Sequence, residues 1–546
     1  MKNPRPNRDT LRLHPRDDLL VALADLSAGT RIDDSGREFI LLDAIPAKHK
    51  FSARALSRNT TVRLYNVVIG RAASDLAAGV QITPERIAPV KTDVPAPPSR
   101  EQWIPPDYGP WRQASFAGYL RRDGRAATAN IWLLIPLVFC ENRNLEMMWQ
   151  ALTGELGYSA SRPYRAVIRR LLDNREADPA VPETGQAPEP RLFPNIDGIK
   201  FLKHSGGCGG TPRDAVELCG LLAGYITHPN CAGATVLSLG CQHATIAALE
   251  REIERRCPGF NRPLFIYEQQ KSVSERDMLA VALKQSLEGM RLADRSRRQP
   301  VPLQKLVLGV ECGGSDGFSG ISANPAMGAA CDIVVAAGGS VILGEFPELS
   351  GMESEIVRRC VSDEAAGRFM KIMRDYNALA RMLDTGFGQN PSQGNIGDGL
   401  FNIAVKSAGA ARKGGTSPVV DVLDYPQWVQ RPGLNLLNTP GHDVESTTAL
   451  AGAGANVILF STGLGTPTGN ALVPVIKISS NSELCQRMPD IIDIDAGTVI
   501  SGIETPESVG KRILDFTLEV ASGLTTPRAV ALGQDDFIPW KRSVSL

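Results

Sequence analysis

Cysteine, histidine and acidic residues set among glycines are the first places where this chain can do chemistry. His204-Ser205-Gly206-Gly207-Cys208-Gly209-Gly210-Thr211 pairs an imidazole and a soft metal ligand with a backbone free to turn sharply and approach a ligand closely. Glu311-Cys312-Gly313-Gly314-Ser315-Asp316-Gly317 repeats the formula with carboxylates, which bind metals, carry protons or orient a hydroxyl. The plainer use of Asp316 is an Asx turn over Gly317. Cys140 ends IPLVFC, Cys241 ends LSLGC, Cys312 ends LGVEC, and Cys208 follows GIKFLKHSGG, so each follows a predicted strand. Loops at the carboxyl ends of α/β strands line the ligand crevice, so these four thiols can converge. No C-x-x-C pair is present, which disfavours a zinc ribbon or a thioredoxin-type site.

Six histidines allow each to be weighed. His49 lies between Lys48 and Lys50, whose charges favour the neutral imidazole and leave a base available near neutral pH; an exposed histidine on a basic loop is the alternative. His14, His243 and His442 read either as ligands or, more often for such positions, as turn or cap residues, and His228 reads as a helix-end residue. Thr211 precedes the predicted helix TPRDAVELCGLLAGYI, whose first amides suit a carboxylate, and Cys219 within it reads as core. Ser461 to Asn470 is rich in glycine and hydroxyls but has neither dinucleotide nor P-loop spacing. Ser315, Thr462, Thr466 and Asn470 are candidate donors to a polyhydroxylated, carboxylated substrate. Asn435, Asn438, Lys477 and Asn481 read either as further donors or as turn and strand-edge residues.

The elements that must position these groups change character along the chain. Short alternating segments before residue 88 predict a small β-rich domain of about 90 residues. A Pro-rich stretch at 88–111 marks a boundary, and a second at 178–194 reads as an insertion. From residue 112 onward, apolar runs (ANIWLLIPLVF, GATVLSLG, KLVLGVE, CDIVVAAGGSVILGE, NVILFST) alternate with the amphipathic stretches TIAALEREIERR and ERDMLAVALKQSLEGMRLA. This predicts parallel sheets with crossover helices. The expected division is 1–90, a linker at 91–111, a first α/β part at 112–300 and a second at 301–546.

The chain has 546 residues, and its 59 basic and 59 acidic side chains cancel, so no global field draws it to nucleic acid or an anionic membrane. The run Ile131 to Cys140 is about half the length that spans a bilayer and contains Pro136. The N-terminal segment is polar, without a signal-peptide core, so a cytoplasmic location is expected, where ten cysteines are thiols or ligands rather than a disulfide scaffold. A small-molecule substrate, no nucleic acid, no membrane and a homo-oligomer are the expectation.

Ordered blocks along nearly the whole length resemble the altronate dehydratase and galactarate dehydratase family of sugar-acid lyases. They are AKHKFSARAL, PLVFCEN, HSGGCGG, SLGCQ, EQQ at 268–270, VECGGSDGFSGISANPAMG, GGSVILGEFPE and the long block from PGLNLLNTPGHD to KISSNSEL. The family usually has Gly where this chain has Lys48, and Gly is common where it has Asn66. The middle loop HSGGCGG also differs from altronate members, which carry bulkier residues there. The resemblance implies an N-terminal β-clip (SAF-like) domain before a two-part α/β catalytic region. It implies metal-assisted dehydration of an aldonate or aldarate to a 2-keto-3-deoxy acid, with Fe2+ or Mn2+. On this reading Cys140, Cys208 and Cys312, with Cys241 or His204, form the metal region, as a mononuclear site or an iron–sulfur cluster. His49 is general base or acid and Lys50 binds the carboxylate, with His204, Glu311 and Asp316 as further catalytic candidates. The alternatives are a family lyase on another 2-hydroxy acid, such as a sulfolactate sulfo-lyase, and a catalytically silent sugar-acid binder.

Overall fold

The structure is a computed structural model that describes residues 9–89, 102–159, 163–173 and 190–542. Residues 90–101 of the Pro-rich stretch at 88–111 and residues 178–189 of the segment at 178–194 lie outside the described residues.

Residues 9–89 form a module of short antiparallel strands. Among them β1 (Leu19–Ala22) pairs with β2 (Lys50–Ser52) in the register Val21↔Lys50. Side chains alternate across a strand, so β1 serves two cores. Leu20 and Ala22 pack within the module with Ile45 and Phe51, while Leu19 and Val21 join the core of the large α/β part. This two-faced strand docks the module onto the rest of the chain.

A short antiparallel ladder, Ser115–Leu120 against Gln299–Pro302, brings the chain into and out of the first α/β layer. That layer holds β3 (Ile131–Pro136), α1 (Asn142–Glu155), β4 (Gly198–Phe201), α2 (Pro212–Thr227), β5 (Cys231–Ser238), α3 (Ile246–Arg256), β6 (Leu264–Glu268) and α4 (Glu275–Ala293). The strands are parallel in the order β4-β3-β5-β6. All six residues of β3 are buried, as a strand covered on both faces requires. Trp132 and Leu134 face α1 and α4, and Leu133 and Ile135 face α2.

The second layer contains β7 (Val307–Cys312), α5 (Ala323–Ala336), β8 (Ser340–Leu343), β9 (Val419–Leu423), β10 (Gly433–Leu437), α6 (Asp443–Gly452), β11 (Val457–Thr462), β12 (Val475–Ser479), β13 (Ile494–Asp495) and α7 (Pro506–Ala521). Its seven strands are all parallel, in the order β9-β10-β8-β7-β11-β12-β13. From β7 the chain fills the sheet first toward β9, then returns beside β7 and fills toward β13. The reversal between β7 and β11 is the topological switch point at which such sheets bind ligands. One expectation fails here: CDIVV belongs to α5, and only Ser340–Leu343 of that apolar run is a strand. A run buried on all sides looks alike as helix or strand. Among the described residues no helix is long and apolar enough to cross a membrane.

Candidate active site

The loop after β7 sits at the switch point and gathers charged groups from five directions. Glu311 and Cys312 end the strand and are buried. Glu311 Oε2 accepts from Ser446 Oγ on α6 at 2.7 Å, whereas Oε1 has no partner among the described residues. Burial, and next the nearby Glu345, push the Glu311 carboxyl well above the usual range, which favours its protonated form.

Glu345, just past β8, takes a left-handed φ of 61° and turns back toward Cys312, whose amide donates to it at 3.3 Å. The Glu345 amide donates to Thr439 Oγ1 at 2.6 Å, which stabilises this turn. Cys312 Sγ lies 3.6 Å from Glu348 Oε2 and 3.0 Å from Lys413 Nζ. Lys413 also pairs with Glu345, and Lys406 pairs with Glu348 at 2.7 Å. Burial drives the Cys312 thiol well upward, with Glu345 adding to the effect. Ligand atoms of Cys312, Glu345 and Glu348 lie within 4.8 Å of one another, and Glu345 Oε1 is a second buried oxygen without a partner among the described residues. This mixed sulfur and carboxylate set fits a borderline divalent ion, although the Lys413 ammonium competes for two of its three donors.

Gly313 is required by what lies above it. A Cβ there would fall 2.0 Å from Asp443 Oδ2, so the carboxylate at the start of α6 rests on the bare backbone. Burial, then Glu348, raises the Asp443 carboxyl. From the far side comes Lys477 of β12, fully buried, with Nζ donating to Thr466 O at 2.9 Å and lying 3.5 Å from the Phe460 ring centroid. Burial pulls its ammonium down to about 7.

The small β module closes the remaining side. Lys48 Nζ lies 3.2 Å from Asp316 Oδ2 and 3.2 Å from Asp398 Oδ1. Lys48 has a φ of 73° and Asn66 a φ of 62°, so both adopt the left-handed backbone that glycine adopts easily. The residues that depart from the family pattern therefore keep a glycine-like geometry. His49 is half-buried, its Nδ1 is 3.1 Å from Ala47 O, and burial holds its pKa below the ordinary value.

Several expectations need correction. Lys50 is fully buried and donates to the carbonyls of Lys48 (2.8 Å), Gly399 (2.9 Å) and Gly317 (3.4 Å), so it clamps the module to the loop instead of binding a substrate carboxylate. Asp316 accepts from Ser319 N, Ser319 Oγ, Ser480 Oγ and Asn481 Nδ2, beyond the Asx turn to Phe318 N; its capacity is spent on holding the loop. His204 sits in the other layer with both ring nitrogens engaged, Nε2 with Pro136 O at 2.7 Å and Nδ1 accepting from Gly206 N at 3.0 Å. Burial lowers it to about 4, so it is a neutral scaffold residue and not a ligand or proton carrier.

The four thiols divide three and one. Cys312 is buried in the second layer, while Cys140, Cys208 and Cys241 are exposed at the ends of β3, β4 and β5 in the first. Thr211 caps α2 in a capping box with Asp214, so the protein's own carboxylate serves that helix end. Thr462 Oγ1 accepts from the amides of Leu464, Gly465 and Thr466, and Asn470 bonds Leu472, Val473, Tyr225 and Thr447; both are structural. Ser315, with a buried Oγ lacking a partner among the described residues, and the partly exposed Thr466 have no structural role of this kind that would exclude them as candidate donors. Cys219 is core, and His228 and His442 cap helices, as their sequence positions suggest.

Sequence reasoning missed Glu345, Glu348, Lys406, Lys413 and Asp443. For the two glutamates a signal existed, since GEFPE follows a strand directly.

Comparison with known proteins covers the chain in three parts. Residues 8–88 match the altronate/galactarate dehydratase SAF domain. Residues 118–294 match the second domain of D-galactarate dehydratase/altronate hydrolase. Residues 303–545 match the C-terminal part of D-galactarate/altronate dehydratase. Altronate dehydratase of Bacillus subtilis (strain 168) is 31% identical over 515 residues, 94% of this chain and 95% of that one. Altronate dehydratase of Escherichia coli (strain K12) is 31% identical over 529 residues, 94% and 96%. Galactarate dehydratase (L-threo-forming) of the same strain is 30% identical over 538 residues, 96% and 94%.

Proposed function

Because the chain belongs to the D-galactarate/altronate dehydratase family, we propose that it is a hydro-lyase that dehydrates a sugar acid. The substrate we assign is altronate, or a related aldonate or aldarate such as galactarate, and the product a 2-keto-3-deoxy acid. The observation that carries this reading is the switch-point site itself, where a buried carboxyl pushed well above its usual range and a sulfur and carboxylate donor set border one glycine-rich loop, with the half-buried imidazole of His49 on the module docked against it.

Dehydration removes the proton beside a carboxylate and expels a hydroxyl from the next carbon, so it needs a base, an acid and a stabiliser of developing negative charge. His49 is neutral near pH 7 and takes the proton. Glu311 carries a proton in a buried site and gives it to the leaving hydroxyl. Lys477 lies behind the loop and adds positive charge, while Ser315 and Thr466 donate to substrate oxygens. Cys312, Glu345 and Glu348 would hold the divalent ion, Fe2+ or Mn2+, which polarises a substrate oxygen when bound. Lys48, Lys50 and Asp316 fix the small module against the loop, which brings His49 to the side of the loop that follows Glu311.

The test is keto-acid formation over a panel of aldonates and aldarates, purified without oxygen and assayed with and without added Fe2+. Metal-dependent turnover of altronate or galactarate supports the reading. Sulfite release from sulfolactate with no sugar-acid turnover would replace it by the sulfo-lyase.

A further inference from the structure

Three thiols stand outside the chemistry just described. Cys140 lies in the turn Phe139–Glu141 after β3, Cys208 in the glycine loop after β4, and Cys241 after β5. The three strands are neighbours in the order β4-β3-β5, so their carboxyl ends lie side by side.

The three loops are hydrogen-bonded to one another. Phe139 N donates to Gly206 O at 3.0 Å, and Ala244 N donates to Gly207 O at 3.1 Å. Gly207, at φ 100°, lies so close to the first loop that a Cβ would fall 2.4 Å from Leu137 O. One glycine thus joins all three loops, one residue from Cys208, and its neighbour Gly206 bonds the residue before Cys140. Each thiol is free and exposed. Cys208 also lines a cavity of about 530 Å³ with His243 and the C-terminal segment Phe537 to Lys541.

Two further observations narrow the ligand. Among the described residues only Cys312, Glu345 and Glu348 bring three ligand atoms within 4.8 Å, so the three thiols do not close on a single ion. The amides of Cys208, Gly209 and Gly210 donate to no group among the described residues. With Gly207 and Gly209 both at positive φ, this turn leaves unpaired amide donors of the kind that hold phosphates and the sulfides of iron–sulfur centres.

We propose that Cys140, Cys208 and Cys241 ligate an iron–sulfur cluster of the four-iron type, with one iron lacking a protein thiolate. A cluster spaces its cysteine sulfurs more widely than a single ion does, and its inorganic sulfides accept from backbone amides. His204 cannot complete a four-ligand zinc site here, because both of its ring nitrogens are already engaged.

The full chain is purified without oxygen, incubated with iron salts, sulfide and a thiol reductant, and desalted. Iron and acid-labile sulfide are then counted per chain, and the dithionite-reduced protein is examined by electron paramagnetic resonance. About four of each per chain and a reduced-cluster signal are expected. Cys140→Ser, Cys208→Ser and Cys241→Ser should each lower sulfide at least about fivefold while far-ultraviolet circular dichroism stays unchanged, and Cys485→Ser should retain it. Iron without sulfide, zinc in place of iron, or full sulfide in the Cys140/Cys208/Cys241 triple alanine variant would each overturn the proposal. None of these readouts uses substrate, so they stand apart from the fate of the dehydratase reading.

Discussion

Lys48 Nζ lies 3.2 Å from the fully buried carboxylate of Asp316, across the boundary between the small β module and the loop after β7. Burial opposes the Lys48 charge, but Asp316 and Asp398 outweigh it and raise its pKa. While its carboxylate partners are ionised, the Lys48 charge therefore stabilises docking below the ordinary lysine value of 10.5, and this fades as pH rises through the higher folded value. Lys48→Met should cost about 1–3 kcal/mol in urea denaturation, because Asp316 keeps its hydroxyl and amide donors. Lys48→Gly should recover about 1 kcal/mol of that by relieving the left-handed backbone. A methionine variant as stable as the glycine variant would refute this.

His49 offers a pH test. Burial lowers its pKa below 6.5, so the neutral base persists into mildly acidic solution, and the acid limb of kcat/KM should fall below that value. His49→Gln should reduce kcat about 10²- to 10⁴-fold and abolish the limb. The same shift makes the wild type lose stability as pH falls from 6.5 toward the folded pKa, because the unfolded chain binds the proton first. A limb unchanged in His49→Gln would assign it to another group.

How much of this was legible depends on whether a residue acts within its own strand and turn. KLVLGVE placed Glu311 and Cys312 at a strand end, and Thr211 announced its helix, because strand period and capping are local. Lys406 and Lys413 reach Glu348 and Glu345 only because the tertiary fold carries a segment some hundred residues downstream of Cys312 back over it. Lys50 and His204 looked chemically free in sequence, yet burial and backbone carbonyls consume both. Residue type alone does not tell a saturated polar group from an available one.

Glu311→Gln separates a proton donor from a scaffold. The amide is close in shape to the protonated acid and can still accept from Ser446 Oγ, so melting temperature should stay within a few degrees. It cannot release a proton, and kcat should fall about 10²- to 10⁴-fold. Retention of full rate would remove Glu311 from the mechanism.

Gly313→Ala tests the close approach of α6. The added methyl would meet Asp443 Oδ2 at 2.0 Å and Cζ of the fully buried Phe460 at 2.6 Å, so the Asp443 carboxylate must swing off the loop and the Phe460 ring must shift. A destabilisation of about 1–3 kcal/mol is expected, together with lost turnover as Asp443 is displaced. Wild-type stability in this variant would mean that α6 starts farther from the loop.

Lys477 ties stability to pH in the opposite sense from Lys48. Burial pulls its pKa from 10.5 to about 7, against the attraction of Asp443, Asp536, Asp493 and Glu311. Between those values the unfolded chain holds a proton that the folded chain releases, so this residue makes stability rise with pH from about 7 to 10.5. Lys477→Met removes the titrating group, and its urea midpoints should lack that rise, while kcat falls as positive charge behind the loop is lost. Each pKa unit is about 1.4 kcal/mol, so the difference in slope is measurable over two pH units. Parallel stability profiles for the two proteins would place a fully charged, well-paired ammonium at Lys477 and remove the near-neutral lysine from the site.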